Sequence, residues 1–63
     1  MSTLEALQDI IHNLQIAVED ADKFDKGNAA AGTRVRTAAM QAKKDLDVLR
    51  KSVQETKNAR KNG

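Results

Sequence analysis

The residues that could carry chemistry in this 63-residue chain are mostly lysines and arginines. The single histidine, His12, has no cysteine or second histidine to complete a metal site, and no nucleophile is spaced to use it as a base. Asp20, Asp22 and Asp25 form an acidic cluster, but the cluster lacks the central glycine and the final glutamate of a calcium loop. We therefore expect no enzyme activity, no metal site and no cofactor.

Basic residues recur at a regular interval in the second half of the chain. Arg36, Lys43, Arg50 and Lys57 are seven positions apart, so on a helix they form one slowly drifting line. We define the basic ridge as this line with its neighbours, namely Arg36, Lys43, Lys44, Arg50, Lys51, Lys57 and Lys61. A ridge about 30 Å long can contact several DNA phosphates, and Arg34 at the helix start is a further candidate.

The basic ridge also has a simpler interpretation. Lysine and arginine on an exposed helix face are commonly only a solvated surface, and an acidic helix one could pair with them. Residues 1–28 carry six acidic and two basic side chains, a net charge of −4, whereas residues 29–63 carry nine basic and three acidic side chains, a net charge of +6. This asymmetry indicates a directional partner, but composition and periodicity alone favour the simpler interpretation.

Two helices must position these residues. Apolar residues in the first half recur at helical steps of three and four and form what we call the apolar stripe: Leu4, Leu7, Ile11, Leu14, Val18 and Ala21, widened by Ile10, Ala17 and Phe24. In the second half a similar series runs through Val35, Ala39, Ala42, Leu46, Leu49 and Val53. Gly32 interrupts helix two at a cost in helix propensity, which indicates a close approach of another group.

Local signals mark the helix ends. Ser2 or Thr3 is the predicted first N-cap, Gly27 supplies the left-handed conformation that ends helix one, and Asn28 is the predicted second N-cap. The sequence thus predicts helix one over about 3–26, a turn at 27–28 and helix two over about 29–60, with a frayed C-terminus, in one domain covering 1–63. The short link favours an antiparallel two-helix hairpin, with one continuous rod as the alternative.

The chain is short of core for a lone monomer. Ten of its hydrophobic residues are alanines, Phe24 is the only aromatic residue, and there is no cysteine for a disulfide. We therefore expect a homodimer or higher oligomer, with hairpins pairing into a four-helix bundle or coiled coil. The residues expected in the core or the oligomer interface are Leu7, Ile11, Leu14, Val18, Phe24, Val35, Leu46, Leu49 and Val53.

The sequence also bears on location and partners. Its apolar runs are far shorter than the roughly 20 residues that span a bilayer, and the N-terminus does not read as a secretory signal. We therefore expect a cytoplasmic protein without a membrane partner. The lack of tryptophan and tyrosine argues against stacking platforms for single-stranded nucleic acid.

The segment around the turn carries a family resemblance. Residues 22–36 read DKFDKGNAAAGTRVR, which resembles the signature of the bacterial linker-histone-like nucleoid proteins of the chlamydial and Bacteroidetes type. In that family an acidic amphipathic helix and a Lys-Gly-Asn turn precede a basic helix. The second helix is similar too, at Gln41–Lys44, Leu46, Leu49–Lys51 and Val53–Gln54. The resemblance covers nearly the whole chain.

The resemblance implies a histone-like, nucleoid-associated protein that binds double-stranded DNA without sequence specificity and compacts it as an architectural protein. Chlamydial members carry a long Lys/Ala-rich tail, whereas this sequence stops at Gly63 and so resembles the short, tail-less members. A net charge of only +2 indicates modest affinity unless oligomers place several ridges on one duplex. The alternative function is a coiled-coil protein–protein interaction module without DNA binding.

Overall fold

Two α-helices make up the fold in the computed structural model, which describes residues 2–62. Helix α1 spans Thr3–Asp25 and helix α2 spans Ala29–Asn62. They pack side by side and antiparallel, and the molecule measures 54 × 15 × 14 Å. No strand occurs among the described residues, and the all-α class that the sequence predicts is confirmed.

The helix ends and the turn between the helices are formed by the residues that the sequence predicts. The hydroxyl Oγ of Ser2 caps α1 by accepting from the backbone N–H of Glu5 at 3.1 Å. Gly27 has φ +106°, a backbone conformation that side-chain-bearing residues rarely adopt. Asn28 then caps α2, its Oδ1 accepting from the backbone N–H of Ala31 at 3.1 Å. A turn closed in this way folds the chain back on itself, so the single-rod alternative does not apply.

Helix α2 is longer than its partner. Its 34 residues span about 51 Å against about 35 Å for the 23 residues of α1. Val53 is the last half-buried residue of α2, so residues 54–62 extend past α1 as an overhang of about 14 Å. The helix continues to Asn62, beyond the predicted end near residue 60, with Arg60 and Lys61 complementing the dipole of its last turn. Neither helix, within residues 2–62, is long and apolar enough to cross a membrane.

Small side chains form the seam between the helices. Ile10 is 7% exposed and Ala31 is fully buried, and these are the buried hydrophobic residues in the described part of the chain. Around them lie half-buried residues of both helices: Ala6, Ala17 and Ala21 from α1, and Val35, Ala38, Ala42, Leu49 and Val53 from α2. Alanine on both sides lets the backbones approach closely. Because most of these side chains are small and only half-buried, a single hairpin buries little apolar surface.

Most of the apolar stripe faces away from this seam. We call its exposed part the outer stripe, namely Leu4, Leu7, Ile11, Leu14 and Val18. Of the residues expected in the core or the oligomer interface, Val35, Leu49 and Val53 are half-buried, whereas Leu7, Ile11, Leu14, Val18, Phe24 and Leu46 are exposed. None of these six is buried within a single chain, although Phe24 contacts α2 with its ring. The physical reason is that α1 turns Ile10 and Ala17, which only widen the stripe in the sequence, toward α2, together with the small residues Ala6 and Ala21.

Gly32 is explained by the ring of Phe24. A Cβ at Gly32 would lie 2.5 Å from Cδ1 and 2.6 Å from Cε1 of that ring, distances that carbon atoms do not tolerate. The ring of Phe24, near the end of α1, thus packs directly against the first turns of α2. The close approach that the sequence indicated at Gly32 is made by a side chain of the neighbouring helix.

Candidate nucleic-acid interface

The basic ridge follows from the register of α2. Val35, Ala42 and Leu49 lean toward α1, and each is followed by a ridge cation one position later, about 100° further around the helix. Every ridge residue is exposed. From Arg36 to Lys57 the ridge covers about 31 Å along the axis and drifts by about 60°. It is a nearly straight row of cations, long enough to follow a DNA backbone.

The ridge and the outer stripe lie on the same side of the hairpin. Leu14 of α1 lines one groove together with Lys43, Leu46 and Arg50 of α2. The groove on the opposite side is lined by Leu14 as well, together with Ile10, Ala38 and Ala42, and its charged residues are Arg34 and Asp45. The ridge cations Lys43, Lys44 and Arg50 therefore line the first groove, beside Leu14 and Leu46, and do not line the second.

Arg34 does not belong to the ridge. Its Nε donates to Oδ1 of Asp20 at 2.9 Å, and the Asp20 side chain is only 17% exposed. This ion pair joins the last turns of α1 to the start of α2, beside the second groove. Because the two arginines are two positions apart, Arg36 points elsewhere and remains on the ridge. Arg34, and not Arg36, therefore contacts the acidic end of α1.

Two ridge cations share one carboxylate. Arg50 Nη2 lies 3.1 Å from Oδ1 of Asp47, and Lys51 Nζ lies 3.1 Å from Oδ2 of the same residue. The hydrogen bonds from Lys51 and from Arg50 lower the pKa of Asp47 below its ordinary value. Within residues 2–61 no ion pair involves the remaining ridge residues, Arg36, Lys43, Lys44, Lys57 and Lys61.

Sequence reasoning missed two residues of this surface. The charge sums give Asp47 no individual role. Its spacing of three from Arg50 and four from Lys51, at which helical side chains meet, was the available signal. Arg60 was left out of the ridge, yet it lines a shallow surface with Lys57 and Lys61 on the overhang. The same helical spacing, three from Lys57 to Arg60, was the available signal.

Comparison with known proteins gives a family match. The family model described as histone H1-like protein Hc1 matches residues 1–59. No curated protein and no solved structure matches the chain. The family match covers α1, the turn, α2 as far as residue 59 and all of the basic ridge except Lys61. The chain therefore belongs to the histone H1-like protein Hc1 family.

Proposed function

We propose that this protein is a non-enzymatic, architectural DNA-binding protein of the bacterial nucleoid that binds double-stranded DNA without sequence specificity. The observation that carries the proposal is the exposed basic ridge on α2 in a chain of a histone H1-like family. Lysine and arginine in a straight row neutralise phosphates and release counterions, which supplies affinity independent of sequence. Phe24, the one aromatic residue of the sequence, packs against Gly32, so the ridge has no series of aromatic side chains on which bases could stack.

The charge of the two helices orients the proposed complex. Residues 1–28 carry a net charge of −4 and residues 29–63 a net charge of +6. DNA is therefore repelled by α1 and attracted to α2. The free cations Arg36, Lys43 and Lys57 provide the first phosphate contacts. Arg34 is held by Asp20 and contributes to the hairpin instead.

A second copy of the chain completes the proposed assembly. The outer stripe exposes five large apolar side chains in a row, and the seam inside one hairpin buries little. Two hairpins that pair through the outer stripe bury these side chains in a four-helix bundle, the coiled-coil-like arrangement of short helical proteins. Each pair then carries two basic ridges, which lets it bridge or bend DNA.

A salt-series titration tests the DNA-binding proposal. Fluorescence anisotropy with a labelled duplex longer than the 54 Å hairpin should give an affinity that falls steeply with salt. Lys43→Glu with Arg50→Glu should greatly weaken binding while circular dichroism shows unchanged helicity. The matched control is Lys23→Glu with Lys26→Glu, which changes the net charge by the same four units in the last turn and C-cap of α1. Binding that is absent at about 50 mM salt, or equally weakened by both pairs, contradicts the proposal.

The second candidate function is a helical interaction module without DNA binding. The outer stripe favours it, because an exposed apolar row is what a partner helix would cover. The two functions separate in the same titration, since only the DNA-binding function predicts a salt-dependent affinity for duplex DNA. Pairing of the chain with itself is common to both.

A further inference from the structure

A single carboxylate stands in the middle of the basic ridge. Asp47 lines the same groove as Lys43, Lys44 and Arg50, and it lies one helical turn from Lys43 on one side and Lys51 on the other. The other two acidic residues of α2 lie elsewhere. Asp45 is half-buried, and its Oδ1 accepts from Gln41 Nε2 at 3.0 Å, whereas Glu55, one helical turn beyond Lys51, makes no ion pair within residues 2–61.

Asp47 divides the ridge into free and occupied cations. Its two oxygens hold Arg50 and Lys51 at 3.1 Å each. The cations nearer the turn, Arg36, Lys43 and Lys44, and those on the overhang, Lys57 and Lys61, have no ion pair within residues 2–61. The occupied pair therefore lies between two groups of cations that are open to a phosphate.

We propose that Asp47 is an affinity-determining residue of the DNA-binding surface, because its carboxylate occupies Arg50 and Lys51 and keeps phosphates away from the middle of the ridge. This inference rests on the proposed DNA-binding function. A phosphate that contacts Arg50 or Lys51 must replace the carboxylate on that cation and must sit close to a like charge. The two ends of the ridge meet no such competitor.

The competing charge is present under all ordinary binding conditions. The pKa of Asp47 is lowered by its hydrogen bonds from Lys51 and Arg50, so the carboxyl remains ionised even in mildly acidic buffer. Exposed ion pairs are individually weak, and DNA does not need to overcome a rigid lock. Asp47 thus reduces affinity by a graded amount and does not abolish binding.

Substitution of Asp47 by its neutral isostere tests the inference. Asp47→Asn should raise the affinity for a labelled duplex about 5-fold or more at low salt and should steepen the slope of log affinity against log salt by about 1 to 2 units, the effect of one or two added phosphate contacts. The matched control is Asp45→Asn, two positions away. It removes the same charge, keeps the acceptor for Gln41 and lies on the far side of α2. We expect the control to give a much smaller gain and an unchanged slope.

A cycle separates occupation of the cations from a general charge effect. In a background of Arg50→Gln with Lys51→Gln, Asp47→Asn should no longer steepen the salt slope, because no cation is left to release. Equal effects of Asp47→Asn and Asp45→Asn, or a loss of affinity in Asp47→Asn, would overturn the inference while wild-type binding leaves the proposed function standing. Failure of the wild-type protein to bind DNA would overturn both.

Discussion

The proposed pairing of hairpins can be tested with two isoleucines that differ mainly in the direction they face. Ile11 is 52% exposed on the outer stripe, and Ile16 is 51% exposed on the same helix. Five positions apart, they point about 140° away from each other. Ile11→Glu should disrupt the pair, whereas Ile16→Glu should leave it intact. Because residue type, exposure and charge change are matched, any difference between the two variants reports on which face is covered.

The exposed fraction of Ile11 sets the size of the expected effect. Complete burial of an isoleucine side chain contributes about 1.5–3 kcal/mol, so covering the exposed half in a pair contributes about 1 kcal/mol for each copy. A two-fold pair contains Ile11 twice, which gives about 2 kcal/mol and a rise of about 30-fold in the dissociation constant. An unpaired glutamate in the interface adds its own cost, so this value is a lower limit.

Sedimentation equilibrium over a micromolar range measures the dissociation constants directly. Thermal unfolding gives a second reading, because the melting temperature of an obligate pair rises with protein concentration. Wild type and Ile16→Glu should show that concentration dependence, and Ile11→Glu should melt at a lower temperature. A wild-type chain that is a stable, folded monomer at micromolar concentration refutes the reasoning, and so does equal weakening by both substitutions.

Two further predictions concern the turn end of the hairpin. Gly32→Ala should lower the unfolding free energy by about 1 kcal/mol in chemical denaturation, because its Cβ displaces the Phe24 ring, but it should be stabilising in a Phe24→Ala background, where only the gain in helix propensity remains. A destabilising effect in both backgrounds would show that the ring is not the cause. Arg34→Gln should lower the unfolding free energy by about 1 kcal/mol with little change in DNA affinity, whereas Arg36→Gln should reduce the salt slope by about one unit with little change in stability. Exchanged outcomes would place Arg34 on the ridge after all.

The local features of the fold could be predicted because each depends on a few neighbouring residues. Asn28 caps α2 through its own side chain, and Gly27 adopts the positive φ that ends α1. The seven-residue spacing of Arg36, Lys43 and Arg50 likewise needs only the helix period to place them on one exposed face. These predictions required no knowledge of how the helices pack.

The choice of packing face on α1 could not be predicted from periodicity. The series through Leu7, Ile11 and Leu14 and the series through Ile10, Ala17 and Ala21 both have helical spacing. Which one meets α2 is decided by how closely two backbones can approach, and that depends on side-chain size on both helices together. Periodicity also could not predict that Arg34 pairs with Asp20, because that contact depends on the register in which the two helices pack.

The turn also gives the hairpin a polarity. It lies at one pole of a 54 Å rod, and the overhang of α2, with Lys57, Arg60 and Lys61 against Glu55, lies at the other. A pair of hairpins with parallel polarity would carry both overhangs at one pole, as a fork that grips a single duplex. Opposite polarity would place them at two poles, as a strut between two duplexes. Because the chain has no cysteine, a spin label on Lys26→Cys reads this polarity from one distance, short in the fork and about the length of α1 in the strut.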